Sequence, residues 1–333
     1  MSVRGVRLQA DPVRSGLKPD TTYSGNRIGS TYVRRRHVLR PRVVVNRHGR
    51  ALGALVVGGI CLGCSPILVR VSELGPIATA FWRSALALLP LAVAFGSSSD
   101  AARGKVPRQW SEHATAALPG VALAGDLITW HISIHLTSVT NSTLLANMAP
   151  VVVTLVTWVF LRRPPRREFL FGLALSVAGV FVLNSGGSRA NSHWRGDVVA
   201  LGASCFYAGY FMLLARARRI FSTGVVMLWS TIAAAVCILP VSLVFEPAFV
   251  PTMIAGWAVV LALGWVVHAG GQGLVAFSMA WLPATFSSLT LLIQPVVAAL
   301  LAWVFLGEPL TVAQAAGGSI VIAGIVLARR GAS

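Results

Sequence analysis

The sequence predicts an all-α integral membrane protein with ten transmembrane helices arranged as a five-plus-five inverted-topology repeat. Three observations carry this prediction. The chain of 333 residues has a mean hydropathy of +0.73 and only 11% charged residues, whereas soluble domains carry about 25%. Its apolar runs are long enough to cross a bilayer. One segment is also repeated 145 positions further on, with the charge at its end reversed.

Each apolar run is interpreted as a helix, because only a structure that satisfies its own backbone hydrogen bonds crosses hydrocarbon, which takes about 20 residues. Turn residues or charges separate most of the runs, as in SELGP at 72–76 and RRPPRRE at 162–168. Hydropathy separates the runs only weakly at LTSVT and WLPAT. The predicted spans lie near residues 52–70, 76–95, 114–135, 140–161, 168–184, 197–215, 223–245, 256–279, 284–306 and 312–328.

The basic residues predict the orientation, because cytoplasmic loops near spans hold an excess of Lys and Arg. With the N-terminus inside, 24 basic residues lie in the cytoplasm and three lie outside, namely Arg70, Arg189 and Arg195. Without the first 50 residues the ratio is still 12 to 3. We therefore predict that both termini are cytoplasmic. The Ala-, Gly-, Val- and Arg-rich composition favours a bacterial protein of the inner (plasma) membrane.

The first 50 residues differ in composition from the rest. Residues 1–50 mix Arg, Gly, Ser and Pro with little periodic apolar content, which predicts a disordered basic cytoplasmic tail. A solvated arm that contacts anionic lipid is the favoured role, and a targeting or nucleic-acid segment is the alternative. Twelve of the 28 Lys and Arg residues lie in this tail, so the formal charge of +18 does not indicate a nucleic-acid partner. The first repeat is assigned to 51–190 and the second to 191–330.

The repeated segment is APVVVTLVTWVFLRRPP at 149–165 and QPVVAALLAWVFLGEPL at 294–310. Aligning Pro150 with Pro295 matches residues 128–184 to 273–329 without a gap, which indicates duplication. The predicted copies are five spans apart, and an odd number reverses the second copy in the membrane. The first copy then ends in arginines in the cytoplasm, and the second ends in Glu308 outside. Such inverted repeats build a central site between two halves.

The ends of both copies resemble the EamA domain of the drug/metabolite transporter superfamily. The similarity is carried by NSTLLANMAPVVVTLVTWVFLRRPP at 141–165 and by LTLLIQPVVAALLAWVFLGEPLTVAQAAGGSIVIAGIVL at 289–327, and it extends over residues 51–330. The resemblance implies ten helices, a central cavity lined by the inner helices of each half, and transport or efflux of small metabolites. The first copy has Arg162 and Arg163 where the family has Gly-Glu, so any role of that glutamate falls to Glu308 alone.

Ionisable side chains inside the apolar runs are the leading site candidates, because each costs about 3 kcal/mol on insertion scales. Arg83 and Asp126 lie about 10 Å and about 13 Å from the outer ends of their helices, at 1.5 Å per residue. We expect them to face each other or to share a cavity. They would bind the charged ends of a substrate or a coupling proton, and a purely structural ion pair is the alternative.

Further polar and aromatic residues lie on helix faces at similar depth. Trp130 shares a face with Asp126 at about 100° per residue, and Asn147 lies near the depth of Arg83. His268 could bind substrate, accept a proton or hydrogen-bond a neighbouring helix. The predicted substrate-binding residues are Arg83, Asp126, Trp130, Asn147, Tyr207, His268, Gln272 and Gln294.

No cofactor and no metal is predicted. Cys61 and Cys64 have the spacing of a ligand pair, but no second pair lies at ligand spacing. The ATP-binding pattern GxxxxGK[ST] is absent, and so is HExxH, so His131 and His135 are weak candidates for a membrane-embedded enzyme.

The predicted function is therefore secondary transport, with export of an amino-acid-like or purine-like metabolite by alternating access. Its partners would be the small-molecule substrate and membrane lipid, with proton coupling as an open option. The alternatives are a multidrug or cation efflux carrier and a passive facilitator.

Overall fold

The computed structural model describes residues 42–97, 105–137, 139–185, 194–307 and 309–331. These residues form α-helices and one π-helix, with no strand among them. The helices are α1 Arg42–Gly63, α2 Ser65–Arg70, α3 Pro76–Ser97, α4 Trp110–Leu136, α5 Val139–Ala146, α6 Ala149–Val159, α7 Arg167–Leu183, α8 Trp194–Arg218, α9 Thr223–Phe245, α10 Ile254–Ala262, the π-helix Leu263–Gln272, α11 Gly273–Ser278, α12 Ala284–Thr290, α13 Ile293–Leu306 and α14 Val312–Gly331.

Within the described residues, eight helical segments are long and apolar enough to cross a membrane. They correspond to eight of the predicted runs. The remaining runs are α4, whose apolar sequence is interrupted by Asp126 and by histidines, and α7, which has 17 residues. The chain is therefore an all-helical, multi-pass membrane protein. Helix α1 begins at Arg42, so the last residues assigned to the tail are helical, and residues 1–41 lie outside the described range.

Four of the spans are not uninterrupted α-helices. The first span breaks at Cys64, between α1 and α2. The runs that contain Pro150 and Pro295 break at 147–148 and 291–292, just before each proline. Proline has no backbone N–H and clashes with the preceding turn, which explains why breaks fall at equivalent places in the two copies. The span between α10 and α11 passes through the π-helix Leu263–Gln272.

Helices α7 and α14 pack closely, and their contact is symmetric with respect to the repeat. Gly172 and Gly179 match Gly317 and Gly324 at +145. A Cβ on Gly172 would lie 2.6 Å from the Gly324 oxygen, and one on Gly317 would lie 2.7 Å from the Gly179 oxygen. Between these contacts, the Ser176 hydroxyl donates to the carbonyl of Val321, its own +145 equivalent, at 3.4 Å. Equivalent residues therefore meet across the interface.

Two glutamates cap helix N-termini at the end of the molecule where α3 begins. The Glu246 carboxylate accepts hydrogen bonds from the amides of Ile77 and Ala78, both at 2.6 Å. Glu73 accepts hydrogen bonds from the Thr252 amide at 2.7 Å and from the Met253 amide at 3.2 Å. Carboxylates satisfy the free amides of a helix start and its positive dipole end. Glu308 lies outside the described residues.

We predict that Gly179→Val strongly destabilises the protein. Its Cβ would lie 2.7 Å from the Val321 nitrogen and 2.8 Å from the Gly317 oxygen, so α7 and α14 would have to separate. We expect a loss of about 3 kcal/mol, at the upper end for overpacking, measured by thermal unfolding in detergent. Gly202→Val is the matched control, since nothing lies within 4 Å of a Cβ there. Equal losses from both variants would contradict the packing argument.

Candidate functional site

A central cavity of about 330 Å³ lies between helices of both repeats. Ser65 and Pro66 of α2 line it, together with Leu183 and Asn184 at the end of α7. The cavity therefore lies toward the end of the molecule where α2 and α7 finish. It brings together seven of the predicted site residues, namely Arg83, Asp126, Trp130, Asn147, Tyr207, Gln272 and Gln294.

Arg83 is the cation of this cavity and projects from the middle of α3. Its side chain is only 7% exposed. One terminal nitrogen donates to the Ser65 hydroxyl at 3.3 Å, while its Nε is buried without a hydrogen-bond partner. A buried guanidinium with unused donors is costly unless an anion binds to it. Arg83 is therefore suited to hold a carboxylate.

Asp126 supplies the opposite charge from α4 and lines the same cavity. Among the described residues, the ion pairs closer than 4 Å do not include one between the carboxylate of Asp126 and the guanidinium of Arg83. The two charges thus share a cavity without neutralising each other directly. A ligand with an ammonium group and a carboxylate could contact both.

The helix breaks bring amide side chains to the cavity. Asn147 lies in the break between α5 and α6, where its Nδ2 donates to the Thr143 carbonyl at 2.8 Å. Gln294 lies in the first turn of α13, directly after the equivalent break. Half-helix ends at such breaks expose backbone groups to a site inside the membrane. Each of these helices is interrupted for two residues shortly before its proline.

Tyr207 and Gln272 line the cavity on the side of the second repeat. The Tyr210 hydroxyl donates to Gln272 Oε1 at 2.9 Å, which fixes the amide. The rings of Tyr207 and Tyr210 are parallel, with centroids 5.9 Å apart. Phe211 packs edge-on against Tyr207, with a centroid separation of 4.8 Å. Tyr207, which lines the cavity, is thus held by two neighbouring aromatic rings.

His268 is the predicted site residue that the structure does not bring to the cavity. It lies in the π-helix, is 1% exposed, and its Nε2 is 2.9 Å from the Thr231 hydroxyl. This contact joins the π-helix to α9. It corresponds to the alternative in which His268 hydrogen-bonds a neighbouring helix. Ser65 was missed by sequence reasoning, although the Ser-Pro pair after Cys64 is a signal for a helix interruption.

The charges of the cavity belong to the first repeat alone. Arg83 and Asp126 both lie in the first repeat, within residues 51–190. The equivalent positions of Gln272 and Gln294 in the first repeat are Leu127 and Ala149. Duplication therefore supplies the scaffold, while the polar groups of the site differ between the halves.

Together, these features define a multi-pass helical membrane protein with a polar cavity between two related halves. A family model described as the EamA-like transporter family matches the chain twice, at residues 50–185 and 194–330. The chain belongs to this family. As a member of it, the protein is a membrane transporter with a small-molecule substrate and a lipid environment.

Three curated relatives agree with this assignment. An "Uncharacterized transporter" of Archaeoglobus fulgidus is 24% identical over 85% of this chain and 97% of its own length. A "Probable terminal-alkyne amino-acid exporter" of Streptantibioticus cattleyicolor is 26% identical over 84% and 94%. "Uncharacterized transporter YwfM" of Bacillus subtilis is 25% identical over 54% of this chain, which spans 60% of that relative.

A solved crystal structure shares the fold. It superposes with a TM-score of 0.72 at 18% sequence identity, over 86% of this chain and 98% of the other. At this identity the likeness concerns the fold.

We predict that Thr231→Val lowers stability without changing substrate affinity. The change leaves the buried His268 without its partner, which costs about 1–3 kcal/mol, measured by thermal unfolding in detergent. Thr290→Val is the control, because the hydroxyl of this buried threonine bonds only to a carbonyl of its own helix, that of Phe286. A changed KM for transport by Thr231→Val would contradict a purely structural role for the pair.

Proposed function

We propose that this protein exports small zwitterionic metabolites of the amino-acid class across a bacterial inner membrane, as a secondary transporter. The observation that carries the proposal is the presence of Arg83 and Asp126 in one cavity of about 330 Å³. An α-amino acid presents a carboxylate and an ammonium group on one carbon. Arg83 would bind the carboxylate, Asp126 would bind the ammonium group, and Trp130 would contact the side chain.

Two further observations support this substrate class. One relative, which matches this chain over 94% of its own length, is named a "Probable terminal-alkyne amino-acid exporter". The amides of Asn147, Gln272 and Gln294 line the same cavity and can orient polar groups without adding charge. A multidrug or cation carrier remains the second candidate, and it would use Asp126 but leave the buried Arg83 without a role.

We further propose that the ten helical spans form two five-helix units of opposite topology, with both termini in the cytoplasm. Each match to the family model covers one predicted unit. The symmetric glycine contacts between α7 and α14 support a two-fold relation between the units. A two-fold axis in the membrane plane is what exchanges the two faces during alternating access.

The substrate prediction is tested by flux in proteoliposomes. We expect Arg83→Gln and Asp126→Asn each to raise the KM for a transported amino acid about 10- to 100-fold, since each removes a charged hydrogen bond worth about 1.5–3 kcal/mol. Arg329→Gln removes an exposed charge outside the cavity and is expected to leave KM unchanged. Unaltered KM in folded Arg83→Gln protein would rule out this assignment.

The topology is tested by labelling single cysteines introduced into a background in which Cys61, Cys64, Cys205 and Cys237 are replaced. Arg166 and Thr311 are +145 equivalents, and both are exposed. In intact cells, a membrane-impermeant maleimide is expected to label Thr311→Cys and to spare Arg166→Cys until the membrane is opened. Labelling of both positions from the same side would exclude the inverted repeat.

A further inference from the structure

A second cavity, of about 660 Å³, lies at the opposite end of the molecule from the mouth of the central cavity. It is lined by the ends of α6 and α8, the start of α7 and the segment before α12. Its walls include the apolar side chains of Phe169, Met212 and Leu282. Four arginines also line it, namely Arg163, Arg166, Arg216 and Arg219. We call it the arginine-lined cavity.

The side chains that line the arginine-lined cavity carry positive charge. None of the described residues that line it is acidic, and its four arginines are exposed. Arg218, in the same stretch of α8, has a structural role, because its Nε donates to the Ala276 carbonyl at 2.9 Å and its Nη1 donates to the Phe221 carbonyl. Clustered cations in a concave site with apolar walls focus the field and attract anions.

The repeat relates this cavity to the mouth of the central cavity. Thr154 lines the arginine-lined cavity, and its +145 equivalent Ala299 lines the central one. Met212 directly follows Phe211, whose ring packs edge-on against Tyr207 of the central cavity. Along α8, Tyr207 therefore lines the central cavity and Met212 lines the arginine-lined one, about 8 Å further along the helix at 1.5 Å per residue.

A small space of about 10 Å³ lies beside the central cavity. It shares Asn147, Tyr207 and Gln294 with the central cavity, and Phe211 and Leu292 also line it. The volume is too small for a metabolite, so the aromatic and leucine side chains separate the two cavities in this conformation.

Two of the four arginines can be compared with the other copy of the repeat. Arg163 and Arg166 match Glu308 and Thr311 at +145. These two cations are therefore present in one copy and absent from the other. Orientation alone does not require this placement, since other basic residues at this end, such as Arg167 and Arg329, do not line the cavity.

We propose that the arginine-lined cavity is the cytoplasmic loading vestibule, and that it captures the carboxylate of the substrate before the central cavity receives it. The proposal rests on the proposed function and narrows its substrate class to metabolites with an exposed carboxylate. Guanidinium groups match a carboxylate in a two-pronged geometry. Among the described residues, Arg83 is the one arginine that lines the central cavity, whereas four line this one, so initial capture of a carboxylate is favoured at the cytoplasmic face.

The test compares Arg216→Gln/Arg219→Gln with Arg167→Gln/Arg329→Gln, which removes two charges at the same end outside the cavity. Uptake of radiolabelled amino acids is measured in inside-out membrane vesicles at about 20 mM and about 500 mM salt, where the Debye length is about 20 Å and about 4 Å. For wild type and the control we expect KM to rise with salt. For the cavity variant, which keeps Arg163 and Arg166, we expect KM to be raised about fivefold at low salt and to rise with salt less steeply than in wild type.

A charge-retaining variant, Arg216→Lys/Arg219→Lys, shows whether substitution at these two positions disturbs folding. It is expected to keep the wild-type dependence of KM on salt. In right-side-out vesicles all variants should have the wild-type KM. Flux with the same KM in the cavity and control variants would overturn the vestibule while leaving the proposed function intact. Loss of co-purified anionic phospholipid with unchanged KM would assign the cavity to lipid headgroups instead. Absence of amino-acid flux in wild type would overturn both proposals.

Discussion

The constraint on which the structure depends is that backbone polar groups cannot be left unpaired in hydrocarbon. Every described span is therefore helical, and interruptions are tolerated only where protein surrounds them or a cavity receives them. The break at Cys64 places Ser65 against Arg83, and the breaks before Pro150 and Pro295 place Asn147 and Gln294 at the central cavity. The helix interruptions thus lie beside the central cavity, where their polar groups can bind a ligand.

Because the two copies are related by duplication, helices α7 and α14 contact each other through the same pattern of glycines. In the α7–α14 contact, Gly172 meets Gly324 and Gly179 meets Gly317, so a single small-residue pattern serves both helices of the contact. Close backbone approach through glycines is how helices gain packing energy without a hydrophobic driving force. The cavity is not symmetric in this way, because Arg83 and Asp126 both belong to the first repeat. A transported molecule is itself asymmetric, so an asymmetric site is the expected result.

The sequence predicted an all-helical membrane protein, and eight of the predicted spans are helices long and apolar enough to cross a membrane, because hydropathy reports on whole helices. It also predicted most of the charged, aromatic and amide side chains that line the cavity, since a charge inside an apolar run must find a polar environment, and Arg83 and Asp126 were matched by depth. His268 does not line the central cavity, because depth does not specify the direction in which a side chain points. Its rotation is set by the π-helix, whose extra residue per turn shifts the helix face and has no signature in the hydropathy pattern.

The loop after the repeated helix shows which of two constraints prevails where they conflict. Gly307 has φ of 67° and its equivalent Arg162 has φ of 51°, so both copies need a left-handed residue at the helix end. Glycine adopts this conformation freely, whereas a side chain there costs about 1–2 kcal/mol. An arginine is nevertheless present in the copy that ends, in the proposed topology, in the cytoplasm. Basic residues at cytoplasmic ends set the orientation of spans. The placement of a positive charge at Arg162 therefore outweighs the local backbone strain. The two copies of the helix differ at this residue because, in the proposed topology, their ends lie on opposite sides of the membrane.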